Sequence, residues 1–252
     1  GLPLTVWSEN ATGTRQRGSD GAVLVSGGVM IGRNYRTAEL YDPATDSWSE
    51  AGSLTERRYR HSATLLPHGM VLVAGGSGST PASAELFDPS RREWSPGAEL
   101  EFERSEHNAL GLADGTVLIL GGTVRSTPEA LASFAQIYNP TVDEWPRVES
   151  DASGTAHRGG ILLEDGRVLA TGDFVRLPNV YNTDGRRVAD TFPLAETYTL
   201  STREWEFGGY MAARGDALYV VLDDGRVLAV RGGSSEVYDP ITNTWSPTGS
   251  AA

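Results

Sequence analysis

The stretch Arg60-His61-Ser62-Ala63-Thr64-Leu65-Leu66-Pro67-His68-Gly69-Met70-Val71-Leu72-Val73-Ala74-Gly75-Gly76 decides how this chain reads. It holds two β-rich runs, Ser62–Leu66 and Val71–Ala74. His68-Gly69 joins them and suits a tight hairpin turn. A glycine pair closes the second run. Beyond it come Ala84-Glu85-Leu86-Phe87, then Asp88-Pro89, then Glu93-Trp94-Ser95. Asp-Pro ends one strand and opens another turn, so the unit holds four strands.

The unit recurs. Asp20-Gly21-Ala22-Val23-Leu24, Asp114-Gly115-Thr116-Val117-Leu118, Asp165-Gly166-Arg167-Val168-Leu169 and Asp224-Gly225-Arg226-Val227-Leu228 repeat its hairpin. A strand aromatic follows each copy, at Tyr41, Phe87, Tyr138, Tyr198 and Tyr238. A tryptophan trails each aromatic by seven residues: Trp48, Trp94, Trp145, Trp205 and Trp245. Five copies at one offset mark a structural repeat. No stretch carries a helical period. A four-stranded unit has two faces to bury, so copies must pack on neighbours. Four-stranded units repeated radially make a propeller. The expected fold is therefore all-β, a five-bladed β-propeller of four-stranded antiparallel blades, as a single domain over residues 1–252. Thr14–Ser19 is too polar for an innermost strand, so Leu2–Ser8 is expected to fill that place. Trp7 alternatively closes the ring against the last blade.

The quoted residues, with Ala84–Pro89 and Trp94, resemble a Kelch repeat of the bacterial and galactose-oxidase-like propeller type. The resemblance runs over about residues 20–250. In Kelch repeats an Arg-x-x-His element ties neighbouring blades by hydrogen bonds. Galactose-oxidase chemistry needs a Cys–Tyr cofactor and is excluded here, because the chain has no cysteine. A sialic-acid-mutarotase-like role lies within the resemblance, but no local motif specifies it. Glu99-x3-Glu103-x3-His107 is similar to the Glu-x3-Asp-x3-His iron motif of plant Kelch specifier proteins, with Glu103 in the aspartate's place.

Composition removes other classes. The chain has 33 acidic and 21 basic residues, a net charge of −12. Phosphates must be met by clustered positive charge, so neither nucleic acid nor an anionic membrane is an expected partner. No run approaches the 18 or so apolar residues of a spanning helix. Without cysteine there is no disulfide scaffold, thiolate zinc site or catalytic thiol. All the basic residues are arginine, which reads as codon bias. The chain begins Gly1-Leu2-Pro3; with the family resemblance, this leads us to expect a processed, secreted bacterial protein.

The connection from the glycine pair to the strand aromatic varies from 5 to 25 residues, while the other connections hold constant. Variable loops on a rigid scaffold are where function sits. In a propeller these loops share a face with the blade-to-blade loops. That face is expected to bind a small molecule, glycan or protein. Its binding candidates are Arg33, Tyr35 and Arg36 in the first copy, and Arg176 and Tyr181 in the Phe174–Leu194 insert of the fourth. Arginine with aromatic and amide groups suits a sugar or carboxylate.

A second pattern lies between the blades. His61, His107 and His157 each precede their repeat valine by 10 or 11 residues. Arg58 and Arg104 lie three residues before the first two, and Arg158 follows the third. One reading is scaffold. The other is a centre at the channel mouth, with the three imidazoles in one cavity. It would be a metal site (iron, copper or zinc) held by His61, His107, His157, Glu99 and Glu103. Alternatively it would be an acid–base site of lyase, isomerase or sugar-active type, with His107, Glu103, Arg104 and Asp173 as catalytic candidates and Arg58, Arg104 and Arg158 binding. Asp173 stands where other copies have their second glycine. Glu39, Glu85, Gln136, Glu196 and Glu236 each lie two residues before the strand aromatic and are expected to accept scaffold hydrogen bonds. The five repeat tryptophans are expected to wedge between blades. A closed ring leaves no long free strand edge, so a monomer is expected. A binding propeller is the first expectation, and an enzyme at the same channel mouth the alternative.

Overall fold

The computed structural model describes residues 4–7, 21–30, 33–78, 82–123, 135–148, 155–175, 191–212, 217–231 and 234–249. Those residues are all-β, in five four-stranded sheets and two short ribbons. The chain divides into two compact units, Gly1–Thr127 with Ala135–Val148, and Pro128–Phe134 with Glu149–Ala252.

The first unit holds three sheets. Sheet one contains Leu4–Trp7, Ala22–Ser26, Thr37–Asp42 and Ser47–Ser53. Sheet two contains Ser62–Leu65, Val71–Ala74, Ala84–Asp88 and Glu93–Gly97. Sheet three contains Asn108–Gly111, Val117–Leu120, Ala135–Tyr138 and Arg147–Val148. The second unit holds two. Sheet four contains Thr155–Leu162, Val168–Val175, Thr191–Thr199 and Glu204–Tyr210, and sheet five Leu218–Val221, Val227–Arg231, Ser234–Asp239 and Thr244–Pro247. Strands pair in chain order and antiparallel, as tight hairpins require. The exception is Leu4–Trp7, which takes the place expected of Leu2–Ser8 but runs parallel to Ala22–Val25.

The fixed seven-residue offset has a local cause. Asp46, Arg92, Asp143, Arg203 and Asn243 stand two residues before their tryptophans, each with φ between 50 and 60°. One left-handed residue per turn re-aims the chain, so indole and strand aromatic meet across the hairpin. All five pairs stack with ring centroids 4.9–5.2 Å apart. In three copies the turn residue also holds the tyrosine. The hydroxyls of Tyr41, Tyr138 and Tyr238 donate to Asp46, Asp143 and Asn243 at 2.9, 2.9 and 2.7 Å.

Sheet four departs from its neighbours. A bulge falls between His157 and Gly159, so Arg158 is the extra residue. This inserted residue is why His157 precedes its valine by 11 residues where His61 and His107 need 10. The ladder also runs on through Phe174↔Phe192 and Val175↔Thr191. Part of the Phe174–Leu194 insert is therefore lengthened strand rather than loop.

Sheets pack by one rule within each unit. In the Val-Leu pair of the second strand, leucine faces the following sheet and valine the preceding one. Leu24, Ala38 and Ala51 of sheet one bury against Val71, Val73 and Phe87 of sheet two. Leu72, Ala74 and Ala84 of sheet two meet Val117, Ile119 and Tyr138 of sheet three. In the second unit, Leu169 and Ala195 of sheet four meet Val227, Ala229 and Tyr238 of sheet five. Tryptophan pins each seam: the Nε1 groups of Trp94, Trp145 and Trp245 donate to the carbonyls of Ala51, Ala98 and Gly208 at 2.8, 2.9 and 3.0 Å.

Candidate functional site

The recurrent polar residues of the first unit converge on the glycine pairs. Gly27, Gly28, Gly75 and Gly76 all have positive φ, a backbone that glycine adopts freely. The amide of Gly28 donates to the Arg58 carbonyl of the next sheet, and Gly76 to that of Arg104, each at 2.8 Å. Approach this close needs a residue without Cβ. A Cβ at Gly27 would meet the Arg58 carbonyl at 2.4 Å, and one at Gly75 the Arg104 carbonyl at 2.6 Å. It would also meet the ring Cε1 of His61 or His107, at 3.0 or 2.9 Å. Each histidine ring thus caps the glycine pair of the sheet before it. Gly75→Ala combines a left-handed φ, costly for an L-residue, with a backbone collision. It is expected to lower stability by more than about 2 kcal/mol, read as a shift in the denaturant midpoint. An unchanged midpoint would contradict this packing.

The imidazoles are buried, and serines meet them. His107 Nε2 shares a 2.7 Å hydrogen bond with Ser62 Oγ, and His61 Nε2 lies 3.4 Å from Ser26 Oγ. Burial, with the guanidinium of Arg58 or Arg104 nearby, pulls both imidazole pKa values down to about 3. Both rings are therefore neutral at any ordinary pH.

Arg58 is also buried. Its Nη1 donates to the carbonyls of Gly75 and Ser83 at 2.8 and 3.0 Å, and its Nη2 to Ser83 Oγ and Glu85 Oε1, both at 2.8 Å. Glu85 in turn accepts the amides of Thr55 and Glu56 at 2.6 and 3.2 Å. Glu236 does the same in the second unit, accepting the Ala212 amide at 2.7 Å. Both fulfil the scaffold role expected from their spacing. Glu39 instead is exposed.

Sheet three carries Gln136 at this position. The side chain is fully buried, and neither Oε1 nor Nε2 meets a partner. Its repeat-mate arginine, Arg104, is buried, donates to the Gly121 carbonyl at 3.4 Å, and has its pKa pulled down to about 10 by burial. Gln136 thus puts a neutral amide where sheet two has the Glu85 carboxylate. Gln136→Glu is expected to raise stability by about 1–3 kcal/mol, the worth of charged hydrogen bonds. A melting curve shifted downward would show that the sheet-three slot differs from that of Glu85.

The other candidates are distributed as follows. Glu99 is exposed and Glu103 half-buried, while His107 is buried. Among the described residues no three histidine, aspartate or glutamate side chains stand close enough to hold a metal ion. The described members of the expected metal set therefore do not come together as ligands. His157, Arg158 and Asp173 lie in strands of sheet four, with His157 opposite Gly172 and Asp173 opposite Ala156. Their side chains, and the whole of Arg176 and Tyr181, are outside the described residues.

Sequence reasoning missed the form of the first variable loop. Val29–Met30 and Arg33–Asn34 pair as an antiparallel ribbon. Val29, Met30, Arg33 and Arg36 are exposed, and Tyr35 is half-buried. The Tyr35 amide donates to the Gly28 carbonyl, and the Arg58 amide to the Tyr35 carbonyl, at 2.9 and 3.2 Å. The ribbon is thus rooted in the glycine–arginine seam. A four-residue interval of arginine, amide and tyrosine carried no period that would have revealed it.

No family model matches this chain, and no curated protein matches it. Among solved structures it is similar to one described as a novel fungal alcohol oxidase with catalytic diversity among the AA5 family, in complex with copper. That likeness has a TM-score of 0.47 and 16% identity over 93% of this chain. The chain spans 64% of that structure's length.

Proposed function

We propose that the five sheets are blades of a five-bladed Kelch-type propeller, and that the chain is a binding module whose loop-rich face takes a carboxylate-bearing small molecule, glycan or protein. The observation that carries this reading is a division of labour. Arg58, His61, Glu85 and His107 are buried in seams between sheets, where the Arg58 Nη groups, the Glu85 carboxylate and both histidine Nε2 atoms meet scaffold groups. Arg33 on the ribbon, paired with exposed Met30, and Arg36 just after the ribbon are exposed to solvent. Exposed guanidinium forks match carboxylates in geometry. Apolar surface beside them adds burial without charge. Glycan and peptide arrays run against the protein and the Arg33→Ala/Arg36→Ala variant test it. Binding of acidic probes should weaken by at least about tenfold in the variant, roughly the loss of one charged hydrogen bond, with an unchanged melting curve. Equal binding by both proteins would overturn the proposal.

A further inference from the structure

The Glu85 carboxylate balances its slot. It accepts from Arg58 Nη2 and from the backbone amides of Thr55 and Glu56. Between sheets two and three, both in the first unit, the same slot recurs with the anion removed. The Leu100 amide donates to the Ala82 carbonyl as the Leu54 amide does to Arg36. Glu101 and Phe102 therefore stand where Thr55 and Glu56 stand one sheet earlier. Gly76 donates to the Arg104 carbonyl as Gly28 does to that of Arg58, and Arg104 Nη1 donates to Gly121 as Arg58 Nη1 does to Gly75. In the place of Glu85 is Gln136, fully buried with neither amide atom bonded. Its oxygen thus takes neither the Glu101 nor the Phe102 amide.

The neighbouring strand adds charge of the cationic sign. Arg147 stands opposite Gln136 in the ladder, where Pro96 and Pro247 stand opposite Glu85 and Glu236. Its guanidinium lies 5.1 Å from the centroid of the Phe102 ring and pairs with the Glu101 carboxylate. That pair is exposed, so Glu101 answers Arg147 at the rim. Glu103, beside Arg104 in sequence, is half-buried and forms no ion pair among the described residues. Arg104 keeps its charge at neutral pH even with burial pulling its pKa down to about 10. A buried cation is costly unless negative charge stands near it.

We propose that the seam between sheets two and three binds one monovalent anion of halide size, at the place the Glu85 carboxylate fills one sheet earlier. The amides of Glu101 and Phe102 and the Nε2 of Gln136 donate to it, and Arg104 supplies the opposite charge. The terminal amide of Gln136 can turn to offer its nitrogen, because no bond holds either end. One negative charge returns this slot to the balance of the slot before it. Sulfate or phosphate would bring a larger charge and four oxygens into a buried seam, and a water would bring no charge at all.

Denaturant midpoints in sodium chloride and in sodium gluconate, at one ionic strength, test this with Gln136→Glu. Gluconate is too large to enter the seam. Once chloride exceeds its dissociation constant, each tenfold rise should increase the folding constant of the native protein nearly tenfold. Gln136→Glu carries its own anion, so chloride should leave its midpoint in place and narrow its gain over native. Crystals of the native protein grown in bromide read the site without any variant. An anomalous peak beside the Gln136 amide and the Arg104 guanidinium is expected. A native midpoint indifferent to chloride, or an equal response in Gln136→Glu, would overturn the proposal. So would bromide found only as an adventitious ion on exposed arginines, with a water or nothing beside Gln136. The array experiment on Arg33 and Arg36 reads the binding proposal separately, since neither residue belongs to this slot.

Discussion

Arg58→Met is expected to cost about 3–5 kcal/mol, enough to unfold a domain of ordinary stability under mild conditions. The guanidinium and the Glu85 carboxylate are 2% and 3% exposed and 2.8 Å apart. Removing the cation strands a buried anion, and two carbonyls and the Ser83 hydroxyl lose their donor. Methionine fills much of the volume, so the loss is electrostatic rather than a cavity. Adding Glu85→Gln should recover part of it, because the stranded charge goes while the amide oxygen still accepts from one of the two backbone amides, Thr55 or Glu56. Denaturant midpoints of the native, single and double variants measure this directly. A single variant within about 1 kcal/mol of native would place Arg58 outside the seam network, since ordinary surface changes lie in that range.

The second large effect is acid lability. His61 and His107 have folded-state pKa values of about 3, against about 6.5 in an unfolded chain. Above pH 6.5 neither state holds the extra proton, and the folded state has its full stability. Between 6.5 and 3 the unfolded chain takes up protons that the native rings refuse. Stability then falls by about 1.4 kcal/mol per pH unit for each histidine. Together the two remove about 5 kcal/mol by pH 4.5. Below pH 3 they remove no more. The double variant His61→Gln/His107→Gln, whatever its stability at pH 7, should lose much of this slope. A native stability profile flat from pH 6.5 to 4.5 would contradict neutral burial of the rings.

The repeat was legible because a hairpin writes its geometry into sequence. The left-handed residue two before each tryptophan needs a fixed turn length, so the offset of seven persisted through five copies. The glycine pairs showed for the same reason, since nothing larger fits beneath the next sheet's carbonyl. The Glu85 role was also readable, because Glu236 stands at the same repeat position and likewise accepts a backbone amide. The form of the ribbon was not legible, since two-residue strands carry no alternation. Spacing aligned three histidines but could not say whether they lined a cavity or plugged a seam. For two of them the serine contacts and the glycine pairs beneath decide it.

The central claim is that the Arg-x-x-His elements at Arg58–His61 and Arg104–His107 hold neighbouring sheets together with neutral, buried imidazoles. Histidine-ring NMR through a titration from pH 7.5 to 5 tests it most directly. The account predicts that the His61 and His107 signals keep neutral-imidazole shifts throughout, and that added zinc or copper leaves them in place. Either ring titrating near pH 6.5, or shifting on metal addition, would contradict it.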